Sequence, residues 1–133
     1  MQTLKTFFYQ ISPLQSATWE AIAPLFQPQT LKAGDYFAPP QKVAREVAFL
    51  ESGWVRAFFN NAEGKEYNKQ FFVGPSLIGA YTSLLTGLVN RIPQQALTDC
   101  QIWVANYAQL ESHYAQFHDL ERPARKIAEF YFL

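Results

Sequence analysis

At 133 residues, with 49% apolar side chains and 12 Phe, 7 Tyr and 3 Trp, the chain is long enough for one proper core, too short to start from two domains, and too apolar to stay disordered. Eleven Lys and Arg balance eleven Asp and Glu, so no positive field draws this segment to a phosphate backbone. A solitary Cys100 can neither close an internal disulfide nor hold zinc or an iron–sulfur cluster alone, and reads as a small buried hydrophobe in a reducing, cytoplasmic setting.

The amino terminus carries Lys5 before Phe7, Phe8 and Tyr9, with Gln10 behind them, and holds no apolar run long enough for a signal peptide or a membrane span. Ser12-Pro13-Leu14-Gln15 has the form of a capping box with proline at the first helical position, and predicts a helix over 12–26. Trp19, Ile22, Ala23 and Phe26 give it one apolar stripe, and Pro24 must kink or end it.

From 30 to 105 the texture changes to short apolar or alternating runs separated by turns at Lys32-Ala33-Gly34-Asp35, Pro39-Pro40, Ser52-Gly53, 60–64 and Gly74-Pro75. That rhythm predicts many short antiparallel strands. The plainest hairpin joins 55–59 to 65–73 through Asn60-Asn61-Ala62-Glu63-Gly64, where Asn and Gly tolerate the positive backbone angles of a reversal.

Asn106 then caps a short helix over 106–118 with Leu110, Tyr114 and Phe117 on one face. A further helix is expected over 119–133, with the stripe Leu120, Ala124, Ile127, Ala128 and Tyr131, and with Pro123 tolerated in its first turn. The aromatic cluster Phe130-Tyr131-Phe132 is a poor place to stop in water, which points to truncation, a dimer seam, or both. The whole of 1–133 is read as a single, mainly β domain: a double-stranded β-helix, or jelly-roll-like β-roll, flanked by an N-terminal helix and C-terminal helices.

Specific residues go further. Leu31-Lys32-Ala33-Gly34-Asp35, then 47–56 with Ser52-Gly53-Trp54-Val55-Arg56, then Glu63-Gly64-Lys65-Glu66, Ser76-Leu77-Ile78-Gly79 and 95–100 (Gln-Ala-Leu-Thr-Asp-Cys) follow in order and spacing the pattern of cyclic-nucleotide-binding domains. The chain thus resembles, over nearly its whole length, the effector domain of catabolite activator and FNR-type bacterial transcription regulators. The resemblance implies a ligand-sensing domain, a homodimer through the helix after the roll, and DNA contact only through a C-terminal helix-turn-helix beyond Leu133.

In that family a glutamate holds the ribose and an arginine followed by Ser or Thr holds the cyclic phosphate. Here Ala80 replaces the glutamate; Arg91 matches the arginine once one residue is inserted, and Ile92 and Pro93 follow it. Cyclic AMP binding of the family type is not expected. A small anionic or polar ligand is expected instead beside Gly79, Ala80, Tyr81, Thr82, Arg91 and Ile92, since a guanidinium pairs well with an oxyanion.

A cupin-like metal enzyme fits poorly. The two histidines, His113 and His118, lie beyond the roll at a spacing that puts them on different helix faces. No nucleophile elbow or Cys/His pair appears, and 74–79 lacks the Lys and hydroxyl of a phosphate-binding loop. No enzyme activity, metal or cofactor is expected. The alternative is a ligand-free scaffold for dimerisation or protein interaction, its roll filled by Phe59, Tyr67, Phe71 and Tyr81 rather than enclosing a polar cavity near Arg91.

Overall fold

The computed structural model describes residues 1–132, and side chains through Phe130. A first helix, α1 (Gln2–Ile11), precedes the expected one; Leu4 and Phe8, four apart, are its buried positions. Ser12 therefore ends a helix instead of starting one, giving its N–H to the Phe8 carbonyl at 3.0 Å. The second helix, α2, covers Ser16–Ile22, and Pro24 converts the chain into a single 3-10 turn over Ala23–Leu25.

The capping box is overridden because a better acceptor arrives from the far end of the chain. Asp119 takes the Gln15 N–H at 2.7 Å and the fully buried Thr18 hydroxyl at 2.6 Å. The first turn of α2 is thus capped by a side chain more than a hundred residues away.

Eight strands follow: β1 (Gln27–Leu31), β2 (Tyr36–Ala38), β3 (Glu46–Ser52), β4 (Trp54–Asn60), β5 (Glu66–Val73), β6 (Ser76–Ile78), β7 (Gln94–Ala96) and β8 (Cys100–Asn106). They form two four-stranded antiparallel sheets, ordered β1-β8-β3-β6 and β2-β7-β4-β5. This is the double-stranded β-helix that the alternation predicted. The 60–64 turn closes the β4–β5 hairpin, with Gly64 at φ 82° and the Asn61 Oδ1 accepting from the Glu63 and Lys65 amides.

The central strands of the first sheet, β3 and β8, are covered on both faces, while the edge strand β1 is exposed except at Leu31. Ala48 and Leu50 of β3 with Ile102 and Val104 of β8 point into the roll, while Val47 and Phe49 with Trp103 and Ala105 point outward to a helical layer. Onto that outward face pack Leu4, Phe8, Ile22, Leu110 of α4 (Tyr107–Glu111) and Leu120 of α5 (His118–Phe132). The second sheet lends the roll Val55, Ala57, Phe72 and Ala96 and leaves Trp54, Phe71 and Val73 in solvent.

Cys100 is 1% exposed in the roll, where burial pushes its thiol pKa up. Beside it Gly53 sits at φ 110°, and a Cβ there would lie 2.6 Å from the Cys100 Sγ. Asn106 caps α4 as expected, its Oδ1 accepting from the Gln109 N–H at 3.0 Å. That helix is shorter than the expected 106–118: turns occupy 112–116 before α5 begins at His118. Pro123 consequently falls in the second turn of α5, not the first, where it is fully buried and has no N–H for the Asp119 carbonyl.

Burial pushes the Asp119 carboxyl up, but hydrogen bonds from Thr18, the Gln15 amide and the Asp119 and Leu120 amides outweigh it and hold the pKa below its usual value. A carboxylate lowered in the folded state adds stability above its unfolded pKa, about 3.9, and loses it as pH falls through the folded value. Asp119→Ala should therefore cost about 1–2 kcal/mol in urea unfolding at pH 7. The gap between variant and parent should begin to narrow below about pH 4 and go on narrowing as pH falls through the lower folded value; a gap independent of pH would show that the carboxylate charge plays no part.

Candidate functional site

The segment singled out in the sequence begins where β6 hands over to α3 (Tyr81–Thr86) through Gly79 and Ala80. Ala80 is buried, and its carbonyl accepts the Leu84 N–H. The Gly79 carbonyl accepts from the Nε2 of Gln94, a β7 side chain only 4% exposed, at 3.1 Å. Tyr81 and Thr82, one residue further on, face solvent.

Three polar side chains that the sequence reading passed over close this segment down. The buried Ser83 hydroxyl accepts the Ala44 N–H at 2.8 Å and donates to the Leu88 carbonyl. Gly87, left-handed at φ 74°, ends α3 and turns the chain toward Val89, which bridges to Val43. Asn90, 5% exposed, donates to the carbonyls of Ala38 and Pro39 and accepts from the Ile92 N–H at 3.0 Å. Its backbone exchanges bonds with Gln41 and Lys42, so 87–92 is laced to the strap between β2 and β3. Gln41 is held there at φ 66°, a left-handed angle seldom taken by a non-glycine residue.

Arg91 and Ile92 part company. Ile92 packs on the roll interior, whereas Arg91 is exposed and makes no hydrogen bond or ion pair among the described residues. The interior beneath is occupied by apolar side chains, the aliphatic Leu50, Val55, Ala57 and Ile78 with the aromatic Phe72 among them. The aromatics that the scaffold alternative would place in it do not fill it: Phe59, Tyr67, Phe71 and Tyr81 are 39–52% exposed. Register explains this for β4 and β5, since Val55 and Phe72 pair and face inward, which turns Phe71 out.

Tyr81 does make one inward contact, edge-on against Tyr107 at 6.2 Å between ring centres. Tyr107 opens α4, and both it and Tyr114 have their pKa raised, chiefly by burial and then by neighbouring hydroxyls, Tyr114 to about 12. Both are neutral hydroxyls at physiological pH. α3 thus touches the helices that follow the roll.

The dimer candidates divide by depth. Leu120 is 1% exposed within its own chain; Ala124, Ile127 and Ala128 are half-buried, and Ile127 leans on the cluster around Leu4 and Phe8. Tyr131 lies outside the described side chains. His113 stacks on Phe117 and sets its Nδ1 2.8 Å from the Gln109 carbonyl, while His118 is exposed. Among the described residues no three of His, Cys, Asp and Glu gather as a metal site, and no helix is long and apolar enough to cross a membrane.

No protein-family model matches the sequence, and no curated protein is significantly similar to it. Solved structures do match. The sensor domain of the transcriptional regulator DNR from Pseudomonas aeruginosa superposes with a TM-score of 0.78 at 14% identity, over 98% of this chain and 85% of that one. The catabolite activator protein of Thermus thermophilus gives 0.76 at 14%, covering 92% and 57%. The regulatory subunit of a cAMP-independent protein kinase A from Trypanosoma brucei gives 0.75 at 17%, covering 94% and 45%. The chain therefore spans little more than half of the Thermus protein, and it shares the β-roll fold of these structures.

Asn90→Ala would strip three hydrogen bonds from a buried junction. It should cost about 2 kcal/mol, because the Ala38 and Pro39 carbonyls and the Ile92 amide are left without their partner. Hydrogen exchange should accelerate at the Gln41 and Ile92 amides while the β3–β8 amides stay slow. Uniform acceleration across both sheets would show that Asn90 merely supports global stability.

Proposed function

We propose that the chain is the ligand-sensing regulatory domain of a bacterial transcription regulator, with a degenerate cassette that does not take cyclic AMP in the usual way. One observation carries the reading: Ser83, Asn90 and Gln94 tie the cassette segment to the chain itself over a packed apolar interior, while Arg91 stays outside. An anion moved into such an interior would lose its hydration with no cation to compensate. The fold shared with a Pseudomonas sensor domain and a Thermus catabolite activator supports the regulatory part.

In this reading the ligand is a small anionic or polar molecule meeting Gly79, Ala80, Tyr81, Thr82 and Arg91. Its occupancy is passed through the Tyr81–Tyr107 contact toward α5. Dimerisation through Ala124, Ile127 and Ala128, DNA contact through a further domain of the parent protein, and a cytoplasmic location complete the proposal. The packed roll also favours a second reading, a ligand-free scaffold for dimerisation or protein interaction.

Calorimetry tests the first claim: cyclic AMP at millimolar concentration should give no binding heat. A micromolar Kd lost on Arg91→Ala would overturn it. Sedimentation equilibrium tests the second, with a monomer–dimer equilibrium expected at concentrations on the order of micromolar. Ile127→Glu should shift it to monomer, and so should Ala128→Glu, which serves as a check because Ile127 also packs on its own chain. A parent chain that is monomeric at a hundred times that concentration would remove α5 as a dimer seam.

A further inference from the structure

A groove of about 390 Å³ runs along the end of β2 and the strap that joins it to β3. Phe37, Pro39 and Val43 give it apolar walls, while Lys42, Arg45 and Asn106 place two cations and an amide along it, with Glu46 at one edge. Neither Lys42 nor Arg45 has an ion-pair partner among the described residues. The Asn106 carbonyl oxygen is spent capping α4, which leaves its amide nitrogen as a donor.

We propose that this groove binds a small molecule carrying an oxyanion on an apolar or aromatic body, the oxyanion meeting Lys42 and Arg45 and the body lying against Phe37, Pro39 and Val43. The volume suits a small organic molecule, and charge-assisted bonds from Arg and Lys favour an oxyanion over a neutral polar group. The position is also suited to signalling. Ala44, between the two cations, gives its N–H to the Ser83 hydroxyl of α3, and the Arg45 carbonyl accepts the Tyr107 N–H at the start of α4. A ligand drawing Lys42 and Arg45 together therefore pulls on both helices at once.

The inference goes beyond the sensing reading by adding an oxyanion site on the strap, apart from the Arg91 segment, and the test keeps the two apart. Phenyl phosphate is titrated into the full chain at constant ionic strength, with inorganic phosphate and benzyl alcohol as controls, following backbone amide shifts by NMR. The expected result is saturable shifts at Lys42, Ala44, Arg45 and Asn106, extending to Ser83 and Tyr107. Phenyl phosphate should bind more tightly than phosphate, and Lys42→Gln with Arg45→Gln should weaken it about tenfold or more. Lys42→Glu serves as the second variant, and each is checked for an unchanged amide spectrum before titration. Shifts centred on Gly79–Thr82 and Arg91 would overturn the groove and favour the cassette. Shifts that do not saturate, or that survive the double substitution, would overturn the groove without touching the cassette.

Discussion

The structure depends on the two-sided burial of β3 and β8, the central pair of the sheet β1-β8-β3-β6. A strand alternates its side chains, so β3 and β8 can serve two cores only if every position is apolar or small, and Val47-Ala48-Phe49-Leu50 and Ile102-Trp103-Val104-Ala105 satisfy this. One set closes the roll against the second sheet. The other gives α1, α2, α4 and α5 a common surface, so each short helix is held by a face it could not bury alone.

That division also separates what was legible in the sequence from what was not. The strands announced themselves through turn residues and period-two alternation, and the short helix start at Asn106 through its cap, because both signals are local. The helix start placed at Ser12 failed because its competitor was remote: Asp119 supplies the cap that a local box appeared to provide. α1 left a trace in Leu4 and Phe8, but ten residues rich in aromatics do not distinguish a helix from a strand by pattern alone.

The candidate segment shows the same limit in sharper form. Gly79, Ala80 and Arg91 were found by comparison with a family pattern, yet the residues that shape the region are Ser83, Asn90 and Gln94. Their burial comes from partners 15 to 52 residues away. A polar residue that will be buried by a distant loop looks like any surface Asn, Gln or Ser until that loop is placed. Charge-bearing Lys42 and Arg45 likewise gain meaning only when the strap is seen beside β8.

The pairing of β8 has a consequence for the order in which the protein is made. Its neighbours are β1 and β3, so Leu31 must wait for Cys100 and Phe49 for Trp103, a delay of more than fifty residues in each case. During synthesis β1 and β3 leave the ribosome with the strand that joins them still missing, and the apolar run of β3 has only the short β6 to pair with before β8 arrives. The β4–β5 hairpin, closed by its own turn, is free to form early. The nascent chain thus carries a ready hairpin and an open half-sheet until β8 emerges, and that interval is when its edges are most exposed to mispairing or to chaperones.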